Sequence, residues 1–276
     1  MTCPLCEDAR PARLLFAAHG AHLVRCRRCG LVRVQPFPTA EQLLTQYRAS
    51  YYRDPERGYV DYDADEAVFR AEFRRRLRAL GAAGARGALF DVGCASGALL
   101  LEARAHGFAV SGLEPDPEVA ARTAARVDAP VRGGSIEEAL LESARYDVIT
   151  LFDVLEHLVD PLAVLRKLRR ALVPGGWIAV TVPDFGGAWA RLTGPRWPFV
   201  TPWEHVLYFT RRTLTRALHE AGFTDVRTPH AATPLSFGTL VSKVPALRPL
   251  LPPGLRHQGL GLPAGTLYAL ARVPSL

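Results

Sequence analysis

A glycine-rich turn and a carboxylate twenty-one residues after its first glycine have the types and spacing needed to bind a small molecule. Gly93 and Gly97 frame a turn after one apolar segment, and Glu114 ends the next apolar segment. Glycine has no Cβ, so a ligand can approach its main chain closely. A carboxylate at the end of the second strand of such a unit can bind the two hydroxyls of a ribose. The pattern therefore predicts a nucleoside site.

The glycine spacing restricts which nucleoside fits. The turn reads Gly-x-x-x-Gly, with Ala95 between the glycines, whereas the dinucleotide fingerprint reads Gly-x-Gly-x-x-Gly and holds a pyrophosphate on a helix N-terminus. A nucleoside without phosphates fits the incomplete pattern better, and a nicotinamide-dependent oxidoreductase fits it poorly. Alternatively, the glycines have only a structural role, because any parallel α/β sheet needs a glycine at such a turn.

Four of the five cysteines form two Cys-x-x-Cys pairs whose spacing is typical of a zinc ribbon. Four thiolates complete a tetrahedral zinc site with no open position, so this zinc is predicted to be structural. Disulfides do not suit a cytosolic chain, and a redox role does not suit two matched pairs. The fifth cysteine, Cys94, is predicted to be a small buried side chain in the glycine turn. The predicted zinc ligands are Cys3, Cys6, Cys26 and Cys29.

The elements that must position these residues alternate between strand and helix from Leu89 onward. Such alternation predicts an α/β fold, a Rossmann-like doubly wound sheet of seven mostly parallel strands with helices on both faces. The predicted strands are 89–92, 108–113, one near 130–131, 147–152, 177–182, 225–230 and 266–273. The predicted helices are 98–105, 118–126, 136–141 and 161–172.

Three regions follow from these patterns: a zinc ribbon over residues 1–35, a tyrosine-rich helical lid or linker over 36–87, and the nucleoside-binding domain over 88–276. Helices are predicted over 39–48 and 64–80. Over residues 47–62, aromatic side chains alternate with charged ones, which favours either packing on the main domain or a lid over a cavity. The tyrosines concerned are Tyr47, Tyr51, Tyr52, Tyr59 and Tyr62.

Composition narrows the possible partners. The 276 residues are 49% hydrophobic, enough for one large core, and no apolar run approaches the about 20 residues of a membrane span. The first residues lack a signal-peptide pattern, so a cytoplasmic protein is expected.

The net charge is +7, but residues 88–228 carry 15 basic and 17 acidic side chains. The predicted core is therefore not basic, which argues against a nucleic-acid partner.

Four motifs together resemble the class I S-adenosylmethionine-dependent methyltransferases. They are the turn Asp91–Gly97, the acid Glu114, the segment Phe152–His157 and the turn Val173–Gly176. The resemblance implies that S-adenosylmethionine is the cofactor, that Glu114 binds its ribose, and that Ser135 and Ile136 contact its base. The full set of implied cofactor contacts is Asp91, Gly93, Cys94, Ala95, Gly97, Glu114, Ser135, Ile136, Phe152 and Asp153.

The layout is also similar to a narrower group, the zinc-binding methyltransferases that include deoxysugar C-methyltransferases. That group joins a four-cysteine module and a tyrosine-rich lid to the same core. Its Glu-His pair after the fifth strand corresponds here to Glu204 and His205, although Pro202 stands where the group has a tyrosine.

Methyl transfer from a sulfonium mainly requires alignment of the nucleophile and exclusion of water, but a hydroxyl or carbon acid also needs a base. His205 is the first candidate because imidazole titrates near neutral pH, with Glu204 tuning it or holding the substrate. His157 is the second candidate. Both histidines could instead be packing residues, His205 in its loop and His157 with Glu156 at a helix start.

The sequence therefore predicts an S-adenosylmethionine-dependent methyltransferase that acts on an oxygen or carbon of a small-molecule acceptor, such as a secondary metabolite, a sugar or a lipid-like compound. A zinc-ribbon ribosomal-RNA methyltransferase, a nicotinamide-dependent oxidoreductase and a non-catalytic binding module are the alternatives.

Overall fold

A computed structural model describes residues 2–44, 66–229, 233–236, 259–262 and 265–275. The five tyrosines of the predicted lid lie outside these ranges. The strands are β1 (Arg13–Ala18), β2 (Ala21–Arg25), β3 (Val32–Gln35), β4 (Ala88–Val92), β5 (Ala109–Glu114), β6 (Val131–Gly133), β7 (Tyr146–Phe152), β8 (Leu172–Pro183), β9 (Leu207–Tyr208), β10 (Thr224–Arg227), β11 (Thr233–Ser236), β12 (Gly259–Leu262) and β13 (Thr266–Arg272). The helices are α1 (Ala40–Leu44), α2 (Glu66–Ala82), α3 (Ala98–Ala105), α4 (Pro117–Val127), α5 (Pro161–Ala171), α6 (Ala188–Thr193) and α7 (Arg211–Glu220).

A seven-stranded sheet in the order β10-β13-β8-β7-β4-β5-β6 forms the centre of the fold. The pairs joining β8, β7, β4, β5 and β6 are all parallel, whereas β13 runs antiparallel to both of its neighbours. The predicted seven-stranded, mostly parallel sheet is confirmed. Because the five parallel strands run the same way, their carboxyl ends lie along one edge of the sheet.

Helices cover both faces of this sheet, as doubly wound folds require. Successive residues of β7 point to opposite faces: Val148 is buried with Leu77 of α2 and Leu100 of α3, and Ile149 with Leu165 of α5. A strand that is buried on both sides is largely apolar, and this explains why Thr150 is the only polar residue between Val148 and Phe152 in β7.

A second, four-stranded antiparallel sheet has the order β1-β2-β3-β9. Three of its strands belong to the predicted zinc ribbon, but β9 comes from the insertion after β8. Val32 and Arg33 of β3 pair with Tyr208 and Leu207, respectively. The sheet of the N-terminal module is thus completed by a segment of the main domain.

The predicted helix over 136–141 is wrong, because residues 136–138 form a turn. The Lys167 ammonium donates to the carbonyl oxygens of Ile136, Glu137 and Ala139 at 2.9, 2.6 and 3.1 Å, and so occupies acceptors that a helix would use. The other predicted helices and strands that lie within the described ranges differ mainly at their ends. Within those ranges, no helix combines the length and apolar character needed to cross a membrane.

Replacing Ile149 by alanine should lower the free energy of unfolding by about 2–5 kcal/mol, because a fully buried side chain on the central strand would leave a cavity. Urea denaturation of the purified chain measures the loss. Leu140→Ala is the control, since Leu140 is 89% exposed and its loss should stay within about 0.5 kcal/mol. Equal losses in the two variants would contradict the assigned core.

Candidate active site

The glycine turn joins β4 to α3 in a backbone conformation that favours glycine. Gly93 and Gly97 have φ angles of 75° and 81°. A Cβ on Gly93 would lie 2.7 Å from Cγ2 of Val154, and one on Gly97 would lie 2.6 Å from Cγ1 of Val127. Contacts this short do not occur between real Cβ atoms and their neighbours, so the turn depends on both glycines. Gly93 also packs directly on the segment that follows β7.

The Glu114 carboxylate closes the same turn from the end of β5. It is 0% exposed, and its Oε2 accepts a hydrogen bond from the backbone N–H of Ala95 at 3.0 Å. Its Oε1 accepts from the N–H of Asp116 at 3.3 Å. Charge-assisted bonds of this kind hold the carboxylate and the glycine turn together in one unit.

Asp91 lies one residue before the end of β4 and is buried. Its Oδ1 accepts a hydrogen bond from Oγ1 of Thr150 at 2.6 Å. Burial, together with the nearby Glu114 charge, raises the pKa of Asp91 to about 7 despite that hydrogen bond. Burial likewise raises the pKa of the Cys94 thiol, which fits the small buried side chain predicted for this position.

Ser135 and Ile136 follow β6 at the same edge of the sheet, and both are buried. Oγ of Ser135 accepts from the N–H of Glu138 at 3.3 Å. The Lys167 ammonium fixes the turn that begins at Ile136 through its three carbonyl contacts.

Phe152 and Asp153 occupy the carboxyl end of β7. The Phe152 ring stacks on Phe73 of α2, with 6.1 Å between ring centroids, and the Arg76 guanidinium lies 4.9 Å from the Phe152 centroid. Helix α2 therefore packs against the carboxyl end of β7. The Asp153 backbone has a φ of 55°, and its Oδ1 accepts a hydrogen bond from Oγ1 of Thr181 at 3.1 Å.

The two histidines predicted as base candidates lie together, with 4.9 Å between the ring centroids of His157 and His205. Nδ1 of His157 is 2.9 Å from the carbonyl oxygen of Glu204, and Nδ1 of His205 is 2.9 Å from that of Phe199. The N–H of Val206 donates to the carbonyl of Glu156 at 3.0 Å. These bonds bring the Glu204–His205 loop onto the segment after β7.

Burial dominates the electrostatics of this cluster. It lowers the pKa of His157 to about 3, with the neighbouring His205 as the next cause. It also raises the pKa of Glu156 well above its usual value, and the nearby Asp153 adds to the effect. His157 is therefore a neutral imidazole near pH 7.

A series of aromatic rings from the insertion after β8 begins at His205. The Phe199 ring stacks on His205, with 6.3 Å between ring centroids. The Trp197 centroid lies 5.1 Å from that of Phe199, and the Phe185 centroid lies 5.8 Å from that of Trp197. Phe16 of β1 lies 6.5 Å from Phe185, so the N-terminal module extends this group of rings. An apolar or ring-bearing molecule suits such surroundings.

A cavity of about 800 Å³ is lined by residues of the N-terminal module, such as Phe16, and by residues that follow β8, such as Phe185. Among the predicted site residues only Cys29 contributes to its lining, which also includes Arg25, Arg191 and Arg212. This cavity is separate from the cluster that contains the histidines.

The four cysteines of the two knuckles come together in space. Sγ of Cys3 is 3.5 Å from Sγ of Cys29, and Sγ of Cys6 is 3.5 Å from Sγ of Cys26. All four sulfur atoms lie within 4.8 Å of one another. Zinc–sulfur bonds of about 2.3 Å would place the sulfurs of a tetrahedral site about 3.8 Å apart, so this donor set fits zinc.

Three residues that the sequence analysis did not single out support the site. Thr150 and Thr181 hold Asp91 and Asp153, and Lys167 holds the turn after β6. The two threonines are polar residues in otherwise apolar strands, and Lys167 is one of only two lysines in a chain rich in arginine. These were the signals from which they could have been found.

Residues 64–228 match a family model described as a methyltransferase domain. A ubiquinone biosynthesis O-methyltransferase from Methylobacterium nodulans is 32% identical over 160 residues, which are 51% of this chain and 61% of the relative. The chain therefore spans about three fifths of that relative's length.

Solved structures share the fold at low sequence identity. Phosphoethanolamine N-methyltransferase 2 from Haemonchus contortus, in complex with S-adenosyl-L-methionine, superposes with a TM-score of 0.59 at 15% identity, covering 88% of this chain and 63% of that one. A protein from Galdieria sulphuraria that is assigned as a sarcosine dimethylglycine methyltransferase superposes with a TM-score of 0.54 at 20% identity. The superposition covers 75% of this chain and 85% of that one.

Asp91→Asn should change how stability depends on pH. The folded-state pKa of Asp91 is raised from 3.8 to about 7, so its stabilising contribution is complete below pH 3.8 and is lost as the pH rises through about 7. Asparagine does not titrate, so its free energy of unfolding lacks this pH dependence. Between pH 3.8 and about 7, the stability of the variant relative to the wild type should therefore rise by about 1.4 kcal/mol per pH unit.

Urea denaturation at pH 4.5 and pH 8 measures this change. Glu142→Gln, which removes a carboxylate that is 82% exposed, is the control. A stability difference between Asp91→Asn and the wild type that does not grow with pH would contradict the assignment.

Proposed function

The chain belongs to the methyltransferase-domain family, and from this premise we propose that it transfers the methyl group of S-adenosylmethionine to an oxygen or carbon of a small-molecule acceptor. The observation that carries the proposal is the meeting of the glycine turn, Glu114 and the Glu156–His157 segment at one edge of the sheet. Gly93 contacts Val154 closely, so the nucleoside-type cradle and the two histidines are neighbours.

The residues present fit the cofactor. A glycine cradle that a Cβ would fill, next to a buried carboxylate, suits a ribose and its attached chain. We assign Glu114 to the ribose hydroxyls and the backbone at Asp91, Gly93, Cys94, Ala95 and Gly97 to the methionine part. The base is assigned to Ser135 and Ile136, and the surroundings of the sulfonium to Phe152 and Asp153. When bound, S-adenosylmethionine supplies an electrophilic methyl group on sulfur.

His205 is the better placed of the two histidines to activate the acceptor. A backbone carbonyl only accepts hydrogen bonds, so Nδ1 of His205 carries the hydrogen and Nε2 is the basic nitrogen. His157 has the same arrangement, but burial disfavours its charged form strongly. We therefore assign the base role to His205, with Glu204 beside it as the acid that orients the substrate or tunes the imidazole.

An oxygen acceptor is favoured by the similarity to the Methylobacterium nodulans relative, which is named as an O-methyltransferase. The aromatic rings around His205 favour an acceptor with an apolar or ring-shaped body. We propose that the chain divides into a zinc ribbon over 1–35, a lid or linker over 36–87, and a cofactor-binding domain over 88–276. We also place the protein in the cytoplasm.

We propose zinc as a structural ion on Cys3, Cys6, Cys26 and Cys29. Four sulfur ligands leave no position for a substrate, so the ion's contribution is to folding. Through β9, the folded module also carries the strand that directly follows the Glu204–His205 loop.

Glu114→Ala and His205→Ala should separate binding from transfer. Loss of the Glu114 carboxylate should weaken binding of S-adenosylhomocysteine by about 10- to 100-fold, since hydrogen bonds to a charged group are lost. His205→Ala should keep that affinity and slow transfer by about 100- to 10,000-fold. Calorimetry measures affinity, and transfer of a radiolabelled methyl group to a panel of phenols and sugars measures the rate.

His106→Ala is the matched control, because His106 is exposed and its Nδ1 also contacts a backbone carbonyl. It should leave both measurements unchanged. Unchanged cofactor affinity in Glu114→Ala would contradict the cradle, and full transfer in His205→Ala would contradict its role.

Metal analysis of the purified chain should find one zinc held by the cysteines, and Cys29→Ser should lose it. Because metal binding supplies part of the folding free energy, removal by a strong chelator should unfold the N-terminal sheet, which hydrogen exchange at residues 13–35 measures. A zinc-free chain with full protection in that sheet would contradict the assignment.

A further inference from the structure

Three metal-ligand groups from two separate segments converge beside the methyl-transfer site. Glu156 and His157 follow β7, and His205 precedes β9. We infer that Glu156, His157 and His205 bind a divalent transition-metal ion, distinct from the zinc on the cysteines. The inference rests on the proposed function and specifies its chemistry.

The distances suit a metal ion. A carboxylate oxygen of Glu156 and one ring nitrogen of each histidine lie within 4.8 Å of one another, and Nε2 of His157 is 4.0 Å from Oε1 of Glu156. Metal bonds of about 2.0–2.2 Å place ligand atoms about 3–3.5 Å apart, so this pair must close by about 0.5–1 Å. Side-chain rotation achieves a change of that size.

Both imidazoles are oriented as metal ligands. A metal-binding histidine usually donates its second ring N–H to a carbonyl or carboxylate, which fixes the tautomer and the ring direction. Nδ1 of His157 faces the Glu204 carbonyl and Nδ1 of His205 faces the Phe199 carbonyl, each at 2.9 Å. A carbonyl oxygen only accepts hydrogen bonds, so we assign the hydrogen to Nδ1 in both rings and the role of metal ligand to Nε2.

Glu156 provides independent support for a ligand. Its side chain is 1% exposed, and within the described part of the chain neither carboxylate oxygen has a hydrogen-bond partner. A buried carboxylate without partners costs free energy, and coordination to a cation removes that cost. Two histidines and one carboxylate form a known donor set for divalent transition metals.

The fold holds the two segments in this arrangement. The Val206 N–H donates to the Glu156 carbonyl at 3.0 Å, while the Val34 N–H of β3 donates to the Val206 carbonyl at 3.0 Å. His205 is therefore fixed against His157 by hydrogen bonds that reach into the N-terminal sheet. Preorganisation of this kind favours metal binding over a chance cluster.

Three protein ligands leave positions open for an acceptor oxygen. A hydroxyl that binds the ion loses its proton to water more easily, because the positive charge stabilises the alkoxide or phenolate. That oxygen then forms the new O–CH3 bond while the S–CH3 bond breaks and its electron pair stays on sulfur. His205 activates the acceptor as a metal ligand in this account, and the favoured nucleophile is oxygen rather than carbon.

Cobalt binding to the full, zinc-loaded chain tests the site without turnover. Co²⁺ should bind at one further equivalent per chain and give weak visible absorption without a sulfur-to-metal charge-transfer band. Glu156→Gln, which keeps the side-chain shape, and His157→Ala should each weaken cobalt affinity at least about tenfold. His106→Ala should bind cobalt like the wild type, and thermal unfolding confirms that each variant is folded.

The absence of a further equivalent of cobalt, or wild-type cobalt affinity in folded Glu156→Gln and His157→Ala, would overturn the inference. Binding of S-adenosylhomocysteine, measured on the same samples, separates the two claims. If it binds and His205→Ala slows transfer while cobalt does not bind, the proposed function stands and the metal site fails. If it does not bind, the proposed function fails whatever the cobalt result.

Discussion

The parallel pairing of β4 with both β5 and β7 is the constraint on which the rest of the site depends. Asp91 pairs with Gly112 on one side and with Thr150 on the other, so the three strands end in register. The glycine turn, Glu114 and Asp153 are thereby brought to one edge, although they are far apart in the chain. The Glu114 bond to Ala95 and the Thr150 bond to Asp91 then join those ends into one polar unit.

The N-terminal module is a second structural constraint on the candidate active site. Its sheet includes β9, and the residues just before β9 carry Glu204 and His205. A change in the module should therefore move His205 relative to His157. In our proposal, a zinc ion on the four cysteines therefore affects the position of His205 without contacting the acceptor.

The sequence predicted the main sheet well because its central strands are buried on both faces and are therefore mostly apolar. The methyltransferase domain was also predictable, since the glycine turn, Glu114 and the segment Phe152–His157 are local motifs. The site residues remain predictions, although the structure places their elements together. The contacts His157–Glu204 and β3–β9 were not predictable, because they join segments far apart in the chain with no local pattern. The turn over 136–138 was missed for the same reason, since Lys167 decides it.

Calorimetric titration of the wild-type chain with S-adenosylhomocysteine and, separately, with NAD is the most direct test of the central claim that the β4–β5 edge forms a cradle for S-adenosylmethionine. We predict saturable binding of one S-adenosylhomocysteine per chain and no detectable binding of NAD. Binding of NAD without binding of S-adenosylhomocysteine would contradict the account.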